Sequence, residues 1–434
     1  MTKTDNNQFP TKNKSWLQRL KDESWEAELL VSAVAIFAIL KSFFALDWLV
    51  IQFIDYLDPN QYIFGYYITV SGYLAVGILA AMFAIHFVLR AYWIGLVGLN
   101  SVFPDYGLED SAYSPIYTKK ILSILPKLSN SIRKIDELCS VIFSAAFGLM
   151  LIYLYIAATS SLYLICFNLL KDTLPLWVLL VPLIVAGSLI IFGMIISIPA
   201  NIKKFHGNQT IQHLYFLYAR WGALILYGPF QKSILQITMV FGSNFKKKKG
   251  LIKMVIFMLF IGFVFGMVKM FDSNFRYLLN HERELDTSKK HSFFYQSLNS
   301  KNSFLLAPEI KSDVVDSPIL EIFVPIFEHE RVLLENHCGL PKTSFFSKLD
   351  EEVQKKRRIA NLNCYQNSHR LFIDNKPQAI DFIKSEHINT QQFGILGHID
   401  LTGISTGNHT IKVKKVFKDS EFKEWSIPFY HIKE

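Results

Sequence analysis

The sequence predicts a membrane α-helical bundle of five transmembrane helices, followed by a soluble, β-rich domain of sandwich-like form. The first observation is composition: 51% of the 434 residues are hydrophobic and the mean hydropathy is +0.25. Such a chain is too apolar for an ordinary soluble domain and too mixed for a membrane bundle alone. The second observation is a change of pattern, because apolar runs dominate before Phe271 and polar, strand-like sequence follows it. We therefore expect two parts.

The segment from Phe245 to Phe271 is the third observation and sets the boundary between the two parts. It has lysines at 246–249 and then an uncharged apolar run from Met254 to Val268. As a helix with a rise of ~1.5 Å per residue, Leu251 to Phe271 would span about 30 Å, which matches a bilayer core. Lysine blocks stay on the cytoplasmic side of a membrane, so the chain after this helix is expected to be exported.

The N-terminal residues 1–28 are basic and lack the apolar core of a secretory signal, so we expect them to stay in the cytoplasm. The first crossing is predicted at Leu29 to Leu49. The apolar pattern continues beyond it, and Val50 to Leu57 is interpreted as an outer interfacial extension. The second crossing is predicted from Tyr62 to about Leu89. Its many small residues allow close helix packing, which places it inside the bundle.

The loop at residues 100–138 carries apolar residues at helical spacing, with basic residues between them. It is interpreted as an amphipathic cytoplasmic element that lies against the membrane or against the protein's own bundle. The third and fourth crossings are predicted at Val141 to Leu170 and at Leu176 to Ile198. Only five residues separate these two crossings, so they should form an antiparallel hairpin.

Residues 211–242 are apolar, but they carry Arg220 and are broken at Gly228-Pro229. Two helices in the membrane interface, or a shallow re-entrant pair, would leave both flanking basic segments on one side. A full crossing by one half would instead invert the rest of the chain. The interfacial interpretation is favoured because Arg220 at a bilayer centre would cost about 3 kcal/mol. The predicted topology has five crossings, with the N-terminus inside and the C-terminus outside.

The exported part is predicted to begin with a linker at residues 272–297 and to continue as the β-rich domain at 298–434. Turn residues separate its apolar runs, which is typical of strands. A mixed-charge segment, Leu349 to Ile359, predicts one helix beside the sandwich. The expected strands are Ile319 to Phe327, Leu371 to Ile373, Ile395 to Leu401, Ile411 to Phe417 and Trp425 to Ile432.

Motifs for chemistry are weak in this sequence. Gly403 to Gly407 matches the G-x-S-x-G pattern, with Asp419 and His431 after it, but strand-like sequence follows where a hydrolase needs a helix. The segment is therefore interpreted as a hairpin turn. Nine of the twelve histidines follow Asp272 without the spacing of metal ligands, and phosphate-loop and dinucleotide motifs are absent. We expect no cofactor, no metal and no catalytic activity.

Polar residues within the apolar spans are better functional candidates. Glu28 and Ser32 lie one helical turn apart at the inner end of the first span, and His86 and Arg90 share a face of the second. Lys41 lies in the outer half of the first span. For Lys41 and Arg90 the alternative is that their charged ends reach the lipid headgroups.

Two further residue pairs were selected for packing and covalent structure. Gly262 and Gly266 form a G-x-x-x-G pair in the last span, which could mediate homo-oligomerisation or packing against the protein's own helices. Cys338 and Cys364 are the cysteines of the exported domain, and an oxidising compartment would permit them to form a disulfide bond.

The functional prediction is an integral membrane anchor or sensor that presents the exported domain to an envelope protein partner. Its predicted location is the cytoplasmic membrane of a bacterium, with the C-terminus in the periplasm. The alternative is a transporter or channel formed by the bundle, while a membrane-embedded enzyme has no supporting motif. The net charge of +9 is concentrated beside apolar spans, where the lipid bilayer explains it, so a nucleic-acid partner is not expected.

Overall fold

The computed structural model describes residues 25–106, 113–171, 173–244, 249–280, 292–299, 304–338, 351–418 and 421–432. Four helical segments that are long and apolar enough to cross a membrane lie in the N-terminal half, and a sheet-rich region follows them. The predicted order of a helical part before a strand-rich part is confirmed. The basic N-terminus up to Ser24, the lysines at 246–248 and residues 281–291 of the predicted linker lie outside the described residues.

The chain divides into two compact units. The helical unit comprises Met1–Leu46 and Ile68–Asp272, and the sheet unit comprises Asp47–Tyr67 and Ser273–Glu434. The sheet unit therefore includes the end of the first long helix, the start of the second and the link between them.

The helices that precede the sheet-rich region follow the predicted order. Pro126 lies between the third and fourth of them, where its missing N–H interrupts the helical bonding. The predicted fifth crossing corresponds to α9 below, whose apolar part, Val255–Phe271, is shorter than the four long segments, so a count of five stays a prediction. In chain order the helices are α1 (Trp25–Tyr56), α2 (Tyr62–Val102), α3 (Pro115–Ile124), α4 (Leu128–Leu170), α5 (Leu176–Asn201), α6 (Gln209–Leu217), α7 (Ala223–Tyr227), α8 (Gln231–Asn244), α9 (Lys249–Phe271) and α10 (Tyr277–Asn280).

Helix α2 is the most buried of the long apolar helices. In its most apolar window 56% of the residues are buried, against 22% for α1 and 17% for α5. A Cβ atom added to Gly77 would lie 2.5 Å from the carbonyl oxygen of Gly262, and one added to Gly266 would lie 2.5 Å from that of Tyr73. The glycine pair of α9 thus packs directly on the backbone of α2 in the same chain.

The segment from 211 to 242 breaks where the sequence predicted, because Gly228 adopts a left-handed conformation with φ +53° before Pro229. The expected two helical pieces lie on either side of this break. The first stays helical from 209 to 227 and includes a π-type turn at Tyr218–Gly222 between α6 and α7, and the second is α8. The ring of Tyr218 fills the space beside Gly193 and Gly222, where a Cβ atom would collide with it. We attribute the π-type turn to this packing.

The sheet-rich region contains two sheets. The four-stranded sheet has the order β1-β3-β7-β6, and the five-stranded sheet has the order β2-β9-β8-β4-β5. Buried residues of both sheets, such as Ile322 and Val413, join one hydrophobic cluster. The strands are β1 (Glu309–Ile310), β2 (Val314–Val315), β3 (Ile319–Pro325), β4 (His369–Ile373), β5 (Lys376–Gln378), β6 (Ile383–Glu386), β7 (Phe393–Asp400), β8 (Gly407–Lys418) and β9 (Glu421–His431).

Two helices accompany these sheets where one was predicted. They are α11 (Glu328–His337) and α12 (Glu351–Ser368). Helix α12 extends beyond the predicted end because Cys364 and Tyr365 are buried in the shared core. A disulfide bond joins Cys338, which directly follows α11, to Cys364, with their Cα atoms 5.9 Å apart. The bond fixes the end of α11 against α12.

The hairpin predicted at Gly403 to Gly407 is wrong. Strand β7 pairs with β3 and β6, whereas β8 pairs with β4 and β9, so this segment links two different sheets. A local bond explains the turn itself, since the Asp400 carboxylate accepts from the backbone N–H of Thr402 at 2.9 Å. Tight turns look alike in sequence whether or not the flanking strands pair with each other.

A buried ionic group ties α11 to the five-stranded sheet. The ammonium of Lys415 donates to the Glu330 carboxylate at 2.7 Å and to the carbonyl of Pro325 at 2.6 Å, and Lys423 donates to Glu330 at 3.3 Å. Burial alone would raise the pKa of Glu330, but the charges of Lys415 and Lys423 outweigh it and hold that pKa well below its usual value. Glu330 is therefore an ionised carboxylate that contacts both lysines.

His369, in β4 directly opposite Lys415 in β8, is also buried. Its Nδ1–H donates to the carbonyl of Tyr365 at 2.7 Å. Burial, reinforced by the charge of Lys415, lowers the pKa of His369 from 6.5 to about 4. The folded sheet unit thus holds a neutral imidazole at pH values where an unfolded chain would carry an imidazolium.

This histidine predicts an acid-sensitive sheet unit. Between pH 6.5 and about 4 the unfolded chain binds a proton that folded His369 does not, so the free energy of unfolding falls as the pH falls. The loss amounts to about 3 kcal/mol across that window, by the free energy of a shifted pKa. Pulse proteolysis of the sheet unit in urea at a series of pH values measures it. His369→Gln should flatten the profile, whereas the exposed His398→Gln should leave it unchanged; equal slopes for wild type and His369→Gln would contradict the prediction.

Candidate functional site

Five polar side chains from three helices meet inside the helical unit, and we call them the polar cluster. They are Glu28 and Ser32 from α1, His86 and Arg90 from α2, and Asp136 from α4. Ser32 and His86 are 0% exposed and Arg90 is 2% exposed. Charged residues buried within an apolar bundle are costly and are usually kept for function, so this is the foremost site of the helical unit.

Helical spacing explains how two helices supply four of these groups. Glu28 and Ser32 are four residues apart, as are His86 and Arg90, so each pair lies on one helix face. The guanidinium of Arg90 then contacts Glu28 Oε2 at 3.1 Å with Nη2 and Asp136 Oδ1 at 2.7 Å with Nη1. Because guanidinium nitrogens form a rigid, planar fork, one side chain holds carboxylates from two other helices in fixed positions.

His86 is held by both polar residues of α1. The hydroxyl of Ser32 donates to the carbonyl of Glu28 at 2.7 Å and lies 2.8 Å from Nδ1 of His86. On the other side of the ring, Nε2 of His86 lies 3.7 Å from Glu28 Oε2. The imidazole therefore bridges Ser32 and Glu28 within the polar cluster.

Aromatic rings cover Arg90 and His86 within the polar cluster. The guanidinium carbon of Arg90 lies 4.6 Å from the ring centre of Trp93, and the rings of Trp93 and Trp25 are 5.9 Å apart. On the other side, the ring of Phe143 lies 5.2 Å from that of His86. These apolar neighbours lower the local dielectric and strengthen the electrostatic interactions within the cluster.

Sequence reasoning identified four members of the polar cluster and missed Asp136. That residue lies in the segment interpreted as a cytoplasmic loop, whereas it belongs to the first turns of α4. A signal existed, because the charge of Arg90 in an apolar helix requires a nearby carboxylate. Lys41 is not part of the cluster: it is exposed, and its ammonium lies 5.3 Å from the ring centre of Phe44.

A second candidate site lies in the sheet unit, where the end of α1 caps α11. The carboxylate of Asp55 accepts from the backbone N–H of Glu328 at 2.9 Å, and its carbonyl accepts from Nδ1 of His329 at 2.9 Å. The first bond satisfies one of the free N–H groups at the start of a helix, which stabilises α11. Burial lowers the pKa of the His329 imidazole from its ordinary value, which favours its neutral form.

This arrangement corrects the prediction for residues 50 to 57. They were expected to form an interfacial extension beyond the first crossing, but α1 continues without a break to Tyr56. Val50 and Ile54 are both 0% exposed and belong to the sheet unit. The apolar pattern was longer than a bilayer crossing because this part of α1 is buried within protein.

Two clefts open on the sheet unit. The larger, about 380 Å³, lies beside the Asp55 cap and is lined by Gln52, Asp55, Glu328 and Gln391 among others. The smaller, about 210 Å³, contains Glu309, whose carboxylate lies 3.0 Å from Nε2 of His387. The larger one falls within the size range of small-ligand pockets.

The part of the chain that the structure describes holds neither a metal-binding group of side chains nor an assembled hydrolase triad. It contains no group of three or more His, Cys, Asp or Glu side chains placed to hold a metal ion. Nδ1 of His431 lies 3.2 Å from the carbonyl of Val315, and Nε2 of His409 lies 2.8 Å from the carbonyl of Ser405. Asp419, the remaining member of the supposed triad, lies outside the described residues.

Comparisons of the chain with families of known proteins, with curated proteins and with solved structures find no match.

The geometry of the polar cluster predicts a large effect of removing Arg90. Arg90→Met would leave Glu28 and Asp136 without their shared guanidinium, at a cost of up to about 3 kcal/mol, since both carboxylates are partly exposed. The matched control is Arg220→Met, because Arg220 is exposed and its charge stacks on the ring of Trp221. Thermal unfolding of the full chain in detergent compares the two. Similar melting temperatures for both variants would mean that the ion pairs do not hold the helices together.

Proposed function

We propose that this protein is an integral membrane sensor whose sheet unit binds an envelope protein partner and whose helices carry the resulting change into the membrane. The observation that supports it most directly is the composition of the sheet unit, which incorporates Asp47–Tyr67, that is, the end of α1, the link and the start of α2. A domain that is only tethered to a helical bundle would need a linker but no residues from the long helices. Here the partner-binding domain is built on the helix whose first turns contribute to the polar cluster.

Helix α1 provides the connection. It carries Glu28 and Ser32 near its start and Asp55 near its end. A helix of 32 residues is about 48 Å long and behaves as a rigid element. A partner that displaces α11 would act on Asp55, and through α1 on the ion pair between Glu28 and Arg90.

The proposed location is the cytoplasmic membrane of a bacterium, with five crossings and the sheet unit in the periplasm. Basic residues support this orientation because they concentrate in the N-terminus and the two segments proposed to be cytoplasmic. The bond between Cys338 and Cys364 agrees with it, since disulfide bonds persist in oxidising compartments such as the periplasm.

A transporter or channel is the second candidate, and the polar cluster favours it. Buried His and carboxylate groups in a bundle often line proton pathways. The polar cluster contains such a pair, since Nε2 of His86 lies 3.7 Å from Glu28 Oε2.

The topology is tested with reporter fusions. Fusions after Lys204 and after Lys249 should both report the cytoplasm, while a fusion after Lys290 should report the outside. Opposite results at Lys204 and Lys249 would show that residues 211–242 cross the membrane fully. A cytoplasmic result after Lys290 would contradict the proposed location of the sheet unit.

The sensing function is tested by separating binding from transmission. A chain that ends after Lys290 should insert but lose its envelope partner in chemical cross-linking. Asp55→Leu, which removes the cap of α11, should keep the partner while losing the ability to restore the phenotype of a gene deletion. Asp400→Asn, an exposed change in the sheet unit, is the control. It should keep the partner and also restore the phenotype. If the truncated chain restored the phenotype, the helices alone would suffice and the transporter would be the better explanation.

A further inference from the structure

The short helix α3 and the residues beside it expose an unusual amount of apolar surface. The exposed fraction is 73% for Ile116, 53% for Tyr117 and 77% for Ile124, and it is 69% for Tyr113 just before the helix. None of the ten residues of α3 is buried. Helices of this length are barely stable in water by themselves, so a partner surface is expected to hold it.

The exposed apolar residues form one stripe. At 100° per residue, positions 116, 117, 120 and 124 fall within about 100° of the helix circumference. Thr118, Ile121 and Leu122 are partly buried and lie on the other side. Helix α3 therefore has one face towards protein and a separate, open face that is mainly apolar. The open face consists of Ile116, Tyr117, Lys120 and Ile124, and the exposed Tyr113 precedes it in the chain.

The charges around this stripe have one sign. Residues 113–134 contain five basic residues and no aspartate or glutamate. All five are exposed. They are Lys119, Lys120, Lys127, Arg133 and Lys134. An isologous contact with a second copy would bring these charges together, which disfavours dimerisation through this face.

We propose that the surface formed by residues 113–134, the basic face, docks on anionic lipid headgroups. Isoleucine and tyrosine side chains enter the boundary between headgroups and acyl chains, which is the usual composition of an in-plane amphipathic helix. The lysines contact phosphate groups, and Lys120 within the stripe extends its ammonium outwards along its apolar stem. The sequence alone left open whether this segment faces the membrane or the bundle, and the exposure of the stripe decides for the membrane.

The basic face leads directly into the polar cluster. Helix α4 begins at Leu128, and Asp136 lies two turns along it. Lipid charge would therefore restrain the helix that supplies one of the two carboxylates of Arg90. This inference does not depend on the proposed function of the sheet unit, and it holds for either orientation of the chain.

The test uses the full chain in lipid nanodiscs of phosphatidylcholine alone or of an equal mixture with phosphatidylglycerol. Amide hydrogen exchange of residues 115–124 is followed by mass spectrometry. Exchange should be at least tenfold slower in the anionic discs, since each lysine near an anionic surface favours binding by about fivefold. The variant K119S/K120S/K127S should lose this difference. The variant K311S/K376S/K384S removes the same formal charge from exposed lysines of the sheet unit and should retain it.

A second variant keeps the proposal open to contradiction. I116S/I124S should exchange faster than wild type in both lipids, because it removes the apolar anchor and leaves the lysines. Equal exchange of wild type in the two lipids would overturn the role of headgroup charge. Protection that rises with the number of protein copies per disc would overturn the lipid as partner and assign the face to a second copy. Protection that is complete in zwitterionic detergent would assign it to the protein's own helices.

Discussion

The double ion pair of Arg90 is the interaction on which the helical unit depends. A guanidinium keeps its charge in proteins, so burying it obliges the fold to bring carboxylates to it. Arg90 obtains one from α1 and one from α4, at 3.1 and 2.7 Å. Such a group adds little net stability compared with an apolar core, yet losing one partner is severely destabilising. Its main effect is therefore to specify which helices meet and in which register.

Helix α1 contributes residues to both units. Its early residues supply Glu28 and Ser32, and its last ten residues belong to the unit that contains α11. Asp55 caps α11, and Glu330 in the first turn of α11 is fixed by Lys415 of β8. A continuous series of polar contacts thus runs from the five-stranded sheet to the end of α1. Each of these contacts requires a particular geometry. A movement at one of them is therefore not accommodated by small side-chain shifts, as it would be in purely apolar packing.

The sequence predicted the local features of this structure better than it predicted contacts between residues that are distant along the chain. Polar residues within an apolar helix are visible in the sequence, which is how Glu28, Ser32, His86 and Arg90 were identified. The strands could be predicted because each is a short, local apolar run. The pairing of His329 with Asp55 joins residues 274 positions apart, and Arg90 with Asp136 joins residues 46 apart. The periodicity of a sequence gives no information about which residues so far apart along the chain will pair. The same limit hid the separation of β7 and β8 into different sheets.

The ion pairs of the polar cluster distinguish the two candidate functions. A transporter would need the contacts of Arg90 with Glu28 and Asp136 to break and re-form while its site opened to each side in turn. A sensor requires only that α1 moves Glu28 away from Arg90, because an unpaired buried charge makes the two positions of the helix discrete states. Under the proposed function, the ion pair between Arg90 and Glu28 holds α1 in one position until a movement of this helix breaks the contact.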